Sequence, residues 1–108
     1  MPARVSIIIP THNGASLLPE CLEALWHQTY RDFDLIVVDD ASTDNTVELL
    51  LAYPEVKHLL HLPGEHGHGF VAAINLGLTE AEGDIVVFLN NDTVPDPDWL
   101  GALVGALD

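Results

Sequence analysis

Three short polar clusters stand out in an otherwise apolar chain: Thr11-His12-Asn13, Asp39-Asp40 and Asn90-Asn91-Asp92. Each closely follows an apolar run: VSIII from Val5 to Ile9, then Pro10; DLIVV from Asp34 to Val38; and DIVVFL from Asp84 to Leu89. Carboxylates gathered in this way raise one another's pKa and oppose folding unless a cation or hydrogen-bond donors compensate. Lys and Arg number only 3 against 17 Asp and Glu, a formal net charge of −14. A metal ion is therefore the natural compensator, and oxygen ligands suit Mg2+ or Mn2+ rather than a soft metal. Short polar residues at strand ends also serve simply to turn the chain. That accounts for one cluster better than for three.

The six histidines carry less. His58 and His61 are three apart on a strand-like segment, so they face opposite ways and do not chelate together. His66 and His68 flank Gly67 in a glycine-rich loop. No cysteine partner or helical HxxxH spacing accompanies them, which argues against zinc and for a mobile loop beside an anionic ligand. The single cysteine, Cys21, excludes an internal disulfide and reads as inert core. Trp26 and Trp99 read as packing residues.

The elements that must position these groups follow from periodicity. The β-branched runs 5–9, 34–38 and 84–89 read as strands buried on both faces, and 56–62 as a weaker one. Leu18, Cys21, Leu22 and Leu25 have helical spacing, with Ser16 as cap. Thr43-Asp44-Asn45 opens a second helix with Val47, Leu50 and Leu51 on its apolar face. Phe70, Ile74, Leu78 and Ala81 mark a third, stopped by Gly83. Asp96 and Pro97 begin a fourth as cap and first residue, lined by Leu100, Leu103, Val104 and Leu107. Strand and helix alternate four times. The expected fold is α/β: a doubly wound, mainly parallel sheet with helices on both faces. Ligands bind such sheets beyond the carboxyl ends of the strands, where all three polar clusters fall.

At 108 residues the chain reads as a single domain spanning 1–108. Its 48% hydrophobic content excludes disorder. The negative charge disfavours nucleic acid and anionic membrane surfaces as partners. No apolar run approaches the roughly 20 residues of a transmembrane helix, and no signal peptide opens the chain. A soluble, cytoplasmic domain is expected. The helical pattern runs to Asp108 without a C-cap signal, which reads as a truncated end.

The segments VSIIIPTHN, LIVVDDASTDNT, GHGFVAAINLGL and GDIVVFLNND, in this order, resemble the N-terminal half of family 2 glycosyltransferases. The resemblance runs from Val5 to about Leu100. It implies a GT-A fold and transfer of a sugar from a nucleotide diphospho-sugar to an acceptor. It implies a nucleotide pocket formed by Pro10, Thr11, His12 and Asn13, with Asn75 and Asn91. One of Asp39 and Asp40 would accept an N–H from uracil or thymine, hence a donor of UDP or dTDP type. Asn90-Asn91-Asp92 occupies the DXD position, so Asp92 would bind the divalent cation, Mg2+ or Mn2+, that bridges the diphosphate. Asn90 replaces the first aspartate of that motif, as in the rhamnosyltransferase-like branch, whose products belong to cell walls and polysaccharides. The diphosphate must then complete the metal site. Helix N-termini near Gly69 and Thr43 would add N–H donors. The base of inverting relatives lies in the C-terminal half, so no catalytic residue is assigned within 1–108. Asp96 and Asp98 read instead as helix-start acids.

Rival folds fit less well. A dinucleotide-binding domain needs GxGxxG after its first strand, where Thr11-His12-Asn13-Gly14 stands. A receiver domain needs a lysine at a later strand end, and the single lysine is Lys57. A haloacid-dehalogenase-like phosphatase needs an aspartate where Asn90 stands. A binding module that self-associates, as a homodimer through an open sheet edge, is the alternative of a different class.

Overall fold

The computed structural model describes residues 3–64 and 66–107. Four strands, β1 (Val5–Thr11), β2 (Phe33–Asp40), β3 (Val56–Leu62) and β4 (Ile85–Phe88), alternate with helices α1 (Leu18–Trp26), α2 (Thr46–Leu51), α3 (Phe70–Leu78) and α4 (Trp99–Leu107). The strands form one sheet in the order β3-β2-β1-β4. All pairings are parallel, with Val5 opposite Phe33 and Ile85. This is the expected α/β architecture.

Alternation along the strands divides the core in two. Val5, Ile7 and Ile9 of β1 share one face with Leu35 and Val37 of β2, against α1, α2 and α4 through Leu18, Leu25, Leu50 and Leu100. Ile8, Ile36 and Val38 point the other way, against Ala73 and Ile74 of α3. Three helices thus cover one face and α3 covers the other. Beyond α3, the second face leaves Val86 and Phe88 of edge strand β4 exposed, as are Phe70 and Leu78 on α3.

Several helix boundaries differ from the sequence reading. Ser16 does not cap α1. Leu17 stands at that position without a side-chain cap, and the Gly14 carbonyl accepts the N–H groups of Leu17 and Leu18. α2 is shorter than expected, and Leu51 is exposed while Leu50 is buried. Asp44 accepts the Thr46 N–H at 3.0 Å and the Thr46 hydroxyl. In α3 the face toward the sheet is Ala73, Ile74 and Gly77, not Phe70 and Leu78. The helix lies too close for large side chains: a Cβ on Gly77 would be 2.6 Å from Ile8 Cγ2. Gly83 does not stop the helix, which ends at Leu78. Instead it donates its N–H to Ser6 Oγ at 2.9 Å. A Cβ there would meet the Ser6 backbone nitrogen at 2.6 Å. α4 begins after Pro97, and its first turn is capped by a buried Gln28. Its Oε1 accepts the Leu100 N–H at 3.0 Å and its Nε2 donates to the Asp96 carbonyl at 2.6 Å. Leu107, expected inside, is exposed.

Candidate functional site

The carboxyl ends of β1, β2 and β4 and the start of α3 enclose an open cleft of about 560 Å3. Pro10 and Thr11 line it from β1 and His12 from just beyond that strand, Asp40 from β2, and Asn90, Asn91 and Asp92 from the turn after β4. Gly67, Gly69, Phe70 and Ala73 close the remaining side. The three clusters separated in sequence therefore share one cavity. Of the nucleotide residues named from sequence, Pro10, Thr11, His12, Asp40 and Asn91 line it, as does Asp92. Asn13, Asp39 and Asn75 do not.

The two adjacent aspartates occupy opposite faces, as neighbours on a strand must. Asp39 is fully buried. Its Oδ2 lies 2.9 Å from His61 Nδ1 and its Oδ1 is buried without a hydrogen-bond partner. Asp40 faces the cleft. Its Oδ1 accepts from His68 Nδ1 at 2.9 Å, and the His68 N–H is shared between both oxygens at 2.8 Å. The Gly69 N–H reaches Oδ2 at 2.9 Å. Burial raises the pKa of this carboxyl. The hydrogen bonds from His68 and Gly69, with the His68 charge, outweigh that and hold it below the ordinary value. A carboxylate offers about four acceptor positions, and the contacts from His68 and Gly69 place two hydrogen bonds on each oxygen of Asp40. His12 Nδ1 donates to the Asp40 carbonyl at 2.6 Å. The loop histidine expected beside a diphosphate thus fixes a carboxylate instead, and the Gly69 N–H expected to meet an anion is already engaged.

Asn13 fastens two loops together. Its Oδ1 accepts the N–H of Thr43 at 2.7 Å and of Asp44 at 3.2 Å, and its N–H donates to Ser42 Oγ at 2.8 Å. The Thr43 N–H, a second expected anion donor, is therefore taken. Asn13 and Ala41 both have left-handed backbones, φ 51° and 53°, at the ends of adjacent strands. Asn75 is exposed on α3. With Ala73, Ile74 and Gly77 facing the sheet, helical geometry turns residue 75 to solvent.

After β4 the chain is tied down at several points. The Leu89 N–H reaches the Ile8 carbonyl at 3.0 Å, Thr93 Oγ1 donates to the Asn90 carbonyl at 2.5 Å, and Asn91 Nδ2 donates to Thr11 Oγ1 at 2.7 Å. Cys21 sits beneath, its Sγ 3.9 Å from the Asn90 carbonyl. Burial pushes its thiol up to about 11, in keeping with an inert core residue. Asp92 is exposed at the cleft. No three His, Cys, Asp or Glu side chains gather as a metal site among the described residues. The donor set is thus one carboxylate with the neighbouring amides of Asn90 and Asn91, all hard oxygen ligands. It fits a Mg2+ or Mn2+ ion that takes its other ligands from a diphosphate and water. Neither Lys nor Arg lines the cleft. Arg4 and Lys57 pair with Asp34, and Arg31 lies 4.6 Å over the Trp26 ring.

The family profile described as "Glycosyl transferase family 2" matches residues 6–108. The chain belongs to that family. It is 30% identical over 100 residues to the glycosyltransferase GlyA of Streptococcus pneumoniae, covering 93% of this chain and 14% of GlyA. Among solved structures it superposes on residues 1–349 of S. aureus TarS with a TM-score of 0.83 and 30% identity, covering 97% of this chain and 32% of that fragment. TarS is also known in complex with UDP and with UDP-GlcNAc. The mannosyltransferase PcManGT of Pyrobaculum calidifontis, in complex with GDP-Man and Mn2+, gives a TM-score of 0.79 at 31% identity, covering 99% of this chain and 32% of PcManGT. The chain therefore spans about a third or less of these relatives. The family resemblance and the GT-A-like fold read from sequence both hold. No helix among the described residues is long and apolar enough to cross a membrane.

Proposed function

We propose that the cleft binds the nucleoside diphosphate of a sugar donor, of UDP or dTDP type, in a glycosyltransferase that passes the sugar to an acceptor. One observation carries this reading. Thr11, His12, Asp40, Asn91 and Asp92 converge on a single cleft that contains carboxylates and no Lys or Arg. A diphosphate enters such a cleft only with a cation to offset both sets of negative charge. Asp40, the aspartate on the cleft side, would accept the imide N–H of uracil or thymine in place of the His68 N–H that its two oxygens share. Asp92 supplies the protein carboxylate for Mg2+ or Mn2+. The cation, when bound, would act as a Lewis acid toward the departing diphosphate. The UDP and GDP-Man–Mn2+ complexes of the neighbours support a nucleotide-sugar partner.

No residue of the cleft is assigned as base. Asp40 is held by His68 and Gly69, Asp92 is given to the cation, and Asp98 accepts from Thr29 Oγ1 at 3.0 Å outside the cleft. Residues 1–108 alone should accordingly bind donor without transferring sugar at an enzymatic rate. A positioned base contributes roughly 10²–10⁴-fold.

Thermal shift with UDP, dTDP, GDP and NAD, each with and without Mn2+, tests the reading. Ligand at 100 times its dissociation constant stabilises by about 2.7 kcal/mol. UDP or dTDP with metal should stabilise and NAD should not; the reverse pattern overturns the assignment. Asp92→Ala should remove the metal dependence of UDP binding while changing stability by no more than about 0.5 kcal/mol, because Asp92 is exposed. One observation favours a second reading, self-association: the exposed Phe70, Leu78, Val86 and Phe88. A dimer on gel filtration that persists with saturating UDP would support it.

A further inference from the structure

We infer that Thr11 and Asn91 form a positioning pair: their hydrogen bond, enclosed by Gly14, sets the Asp92 turn at the distance where metal and nucleotide can share ligands. The inference rests on the proposed nucleotide–metal reading of the cleft and gives Asn91 a different task from contact with the nucleotide. Asn91 Nδ2 donates to Thr11 Oγ1 at 2.7 Å. Thr11 is 3% exposed and ends the strand that also carries the nucleotide side of the cleft. The bond therefore spans from a rigid strand to a turn. Gly14 closes over it so tightly that a Cβ there would lie 2.2 Å from Thr11 Oγ1 and 2.5 Å from Asn91 Nδ2. An alanine at 14 must displace one partner or the other. The small residue at 14 and the hydroxyl at 11 thus serve the same contact.

Asp92 follows Asn91 directly and is exposed. The side-chain bond that joins its turn to β1 is the one made by Asn91. If a cation takes ligands from both Asp92 and a diphosphate, the gap between the β1 end and this turn determines whether one ion reaches both. The pair acts through Asp92 and should govern coupling between metal and nucleotide rather than affinity for either alone. Coupling between two ligands of one site is commonly about 5–150-fold.

The test is calorimetric titration of UDP into the full 108-residue chain with and without Mn2+, for wild type, Thr11→Val, Thr11→Ser and Gly14→Ala. In the wild type Mn2+ should raise UDP affinity within the range of about 5–150-fold. In Thr11→Val, which keeps shape and loses the hydroxyl, and in Gly14→Ala, which keeps the hydroxyl and wedges the pair apart, that enhancement should fall to about twofold or less. In Gly14→Ala, whose position does not line the cleft, metal-free UDP affinity should remain within about threefold of wild type. Thr11→Ser should restore the enhancement. The double variant Thr11→Val/Gly14→Ala should be no worse than either single variant, since both remove one contact. Wild-type enhancement in Thr11→Val and Gly14→Ala would overturn the inference. So would equal losses with and without metal, which would make Thr11 a direct nucleotide ligand. A wild-type chain on which Mn2+ has no effect overturns the reading of the cleft itself, and is told apart from failure of the pair because it appears before any substitution.

Discussion

The two ends of the sheet treat the same residue type in opposite ways. At the amino end, aspartates are neutralised permanently. The Arg4 guanidinium sits between Asp32 and Asp34, Lys57 adds a second cation to Asp34, and the Arg4 N–H binds Asp84 at 3.0 Å. At the carboxyl end no Lys or Arg faces the cleft. Asp40 is held by N–H groups and an imidazole, and Asp92 stands free at the rim. An aspartate matched by arginine has finished its task on folding. One with no Lys or Arg beside it keeps its negative charge uncompensated at the cleft.

Substitutions can break or sharpen this contrast. The largest effect is expected from Asp40→Ala, which removes a charged acceptor from His68 and Gly69. Loss of one charge-assisted hydrogen bond costs about 1.5–3 kcal/mol, and both stability and UDP affinity should fall by amounts of that order, with or without metal. A drop confined to stability would mean that Asp40 is only a loop anchor. Gly83→Ala probes the amino end, where the new Cβ would press on the Ser6 backbone. Overpacking costs about 1–3 kcal/mol, here in stability alone, and UDP affinity of the folded fraction should not change.

Acid titration comes next. Asp40 and Asp44 are both held below the ordinary carboxyl value. For Asp40, donors from His68 and Gly69 outweigh burial; for Asp44, the chief cause is the hydrogen bond from the Thr46 hydroxyl. The folded chain therefore binds these protons less readily than the unfolded chain. Their stabilisation is complete above the unfolded value of about 3.9 and is lost as pH falls through the lower folded values. Chemical denaturation between pH 5 and 2 should show this slope, and Asp40→Asn with Asp44→Asn should flatten it. The smallest effect belongs to Arg4→Ala. Its ion pairs are exposed and screened, so any loss should fade at high salt and leave UDP binding untouched.

The strands and their order of use were legible because residues such as Ile7, Ile8 and Ile9 are β-branched and buried on both faces, a pattern few other contexts produce. That the polar clusters share a cleft followed from parallel strands ending on one side. The orientation of α3 was not legible. Hydrophobicity points to Phe70 and Leu78, whereas the sheet admits only Ala73, Ile74 and Gly77 because Ile8 and Val38 rise to meet the helix. Asn75 is exposed on the same helix, outside the lining of the cleft. Which of Asp39 and Asp40 faces the cleft depends on strand parity relative to α3, which only the packing decides. The partners of Asn13 and His68 are set by contacts about 30 residues away, where local pattern is silent.

The pairing of β1 with β4 also bears on how the chain comes together. β1 is a central strand, yet it gains its second neighbour only from residues 85–88, and the Thr11–Asn91 bond joins residues 80 apart. Folds built on such distant parallel pairings form slowly, since chain entropy is surrendered before the contacts repay it. While the chain emerges from the ribosome, β1, β2 and β3 can associate with one flank of β1 still bare. The seam between β1 and β4 should therefore close last, and the cleft should be completed in that same step. A pulse-labelling experiment on refolding should therefore find amides of 85–93 protected after those of 33–40.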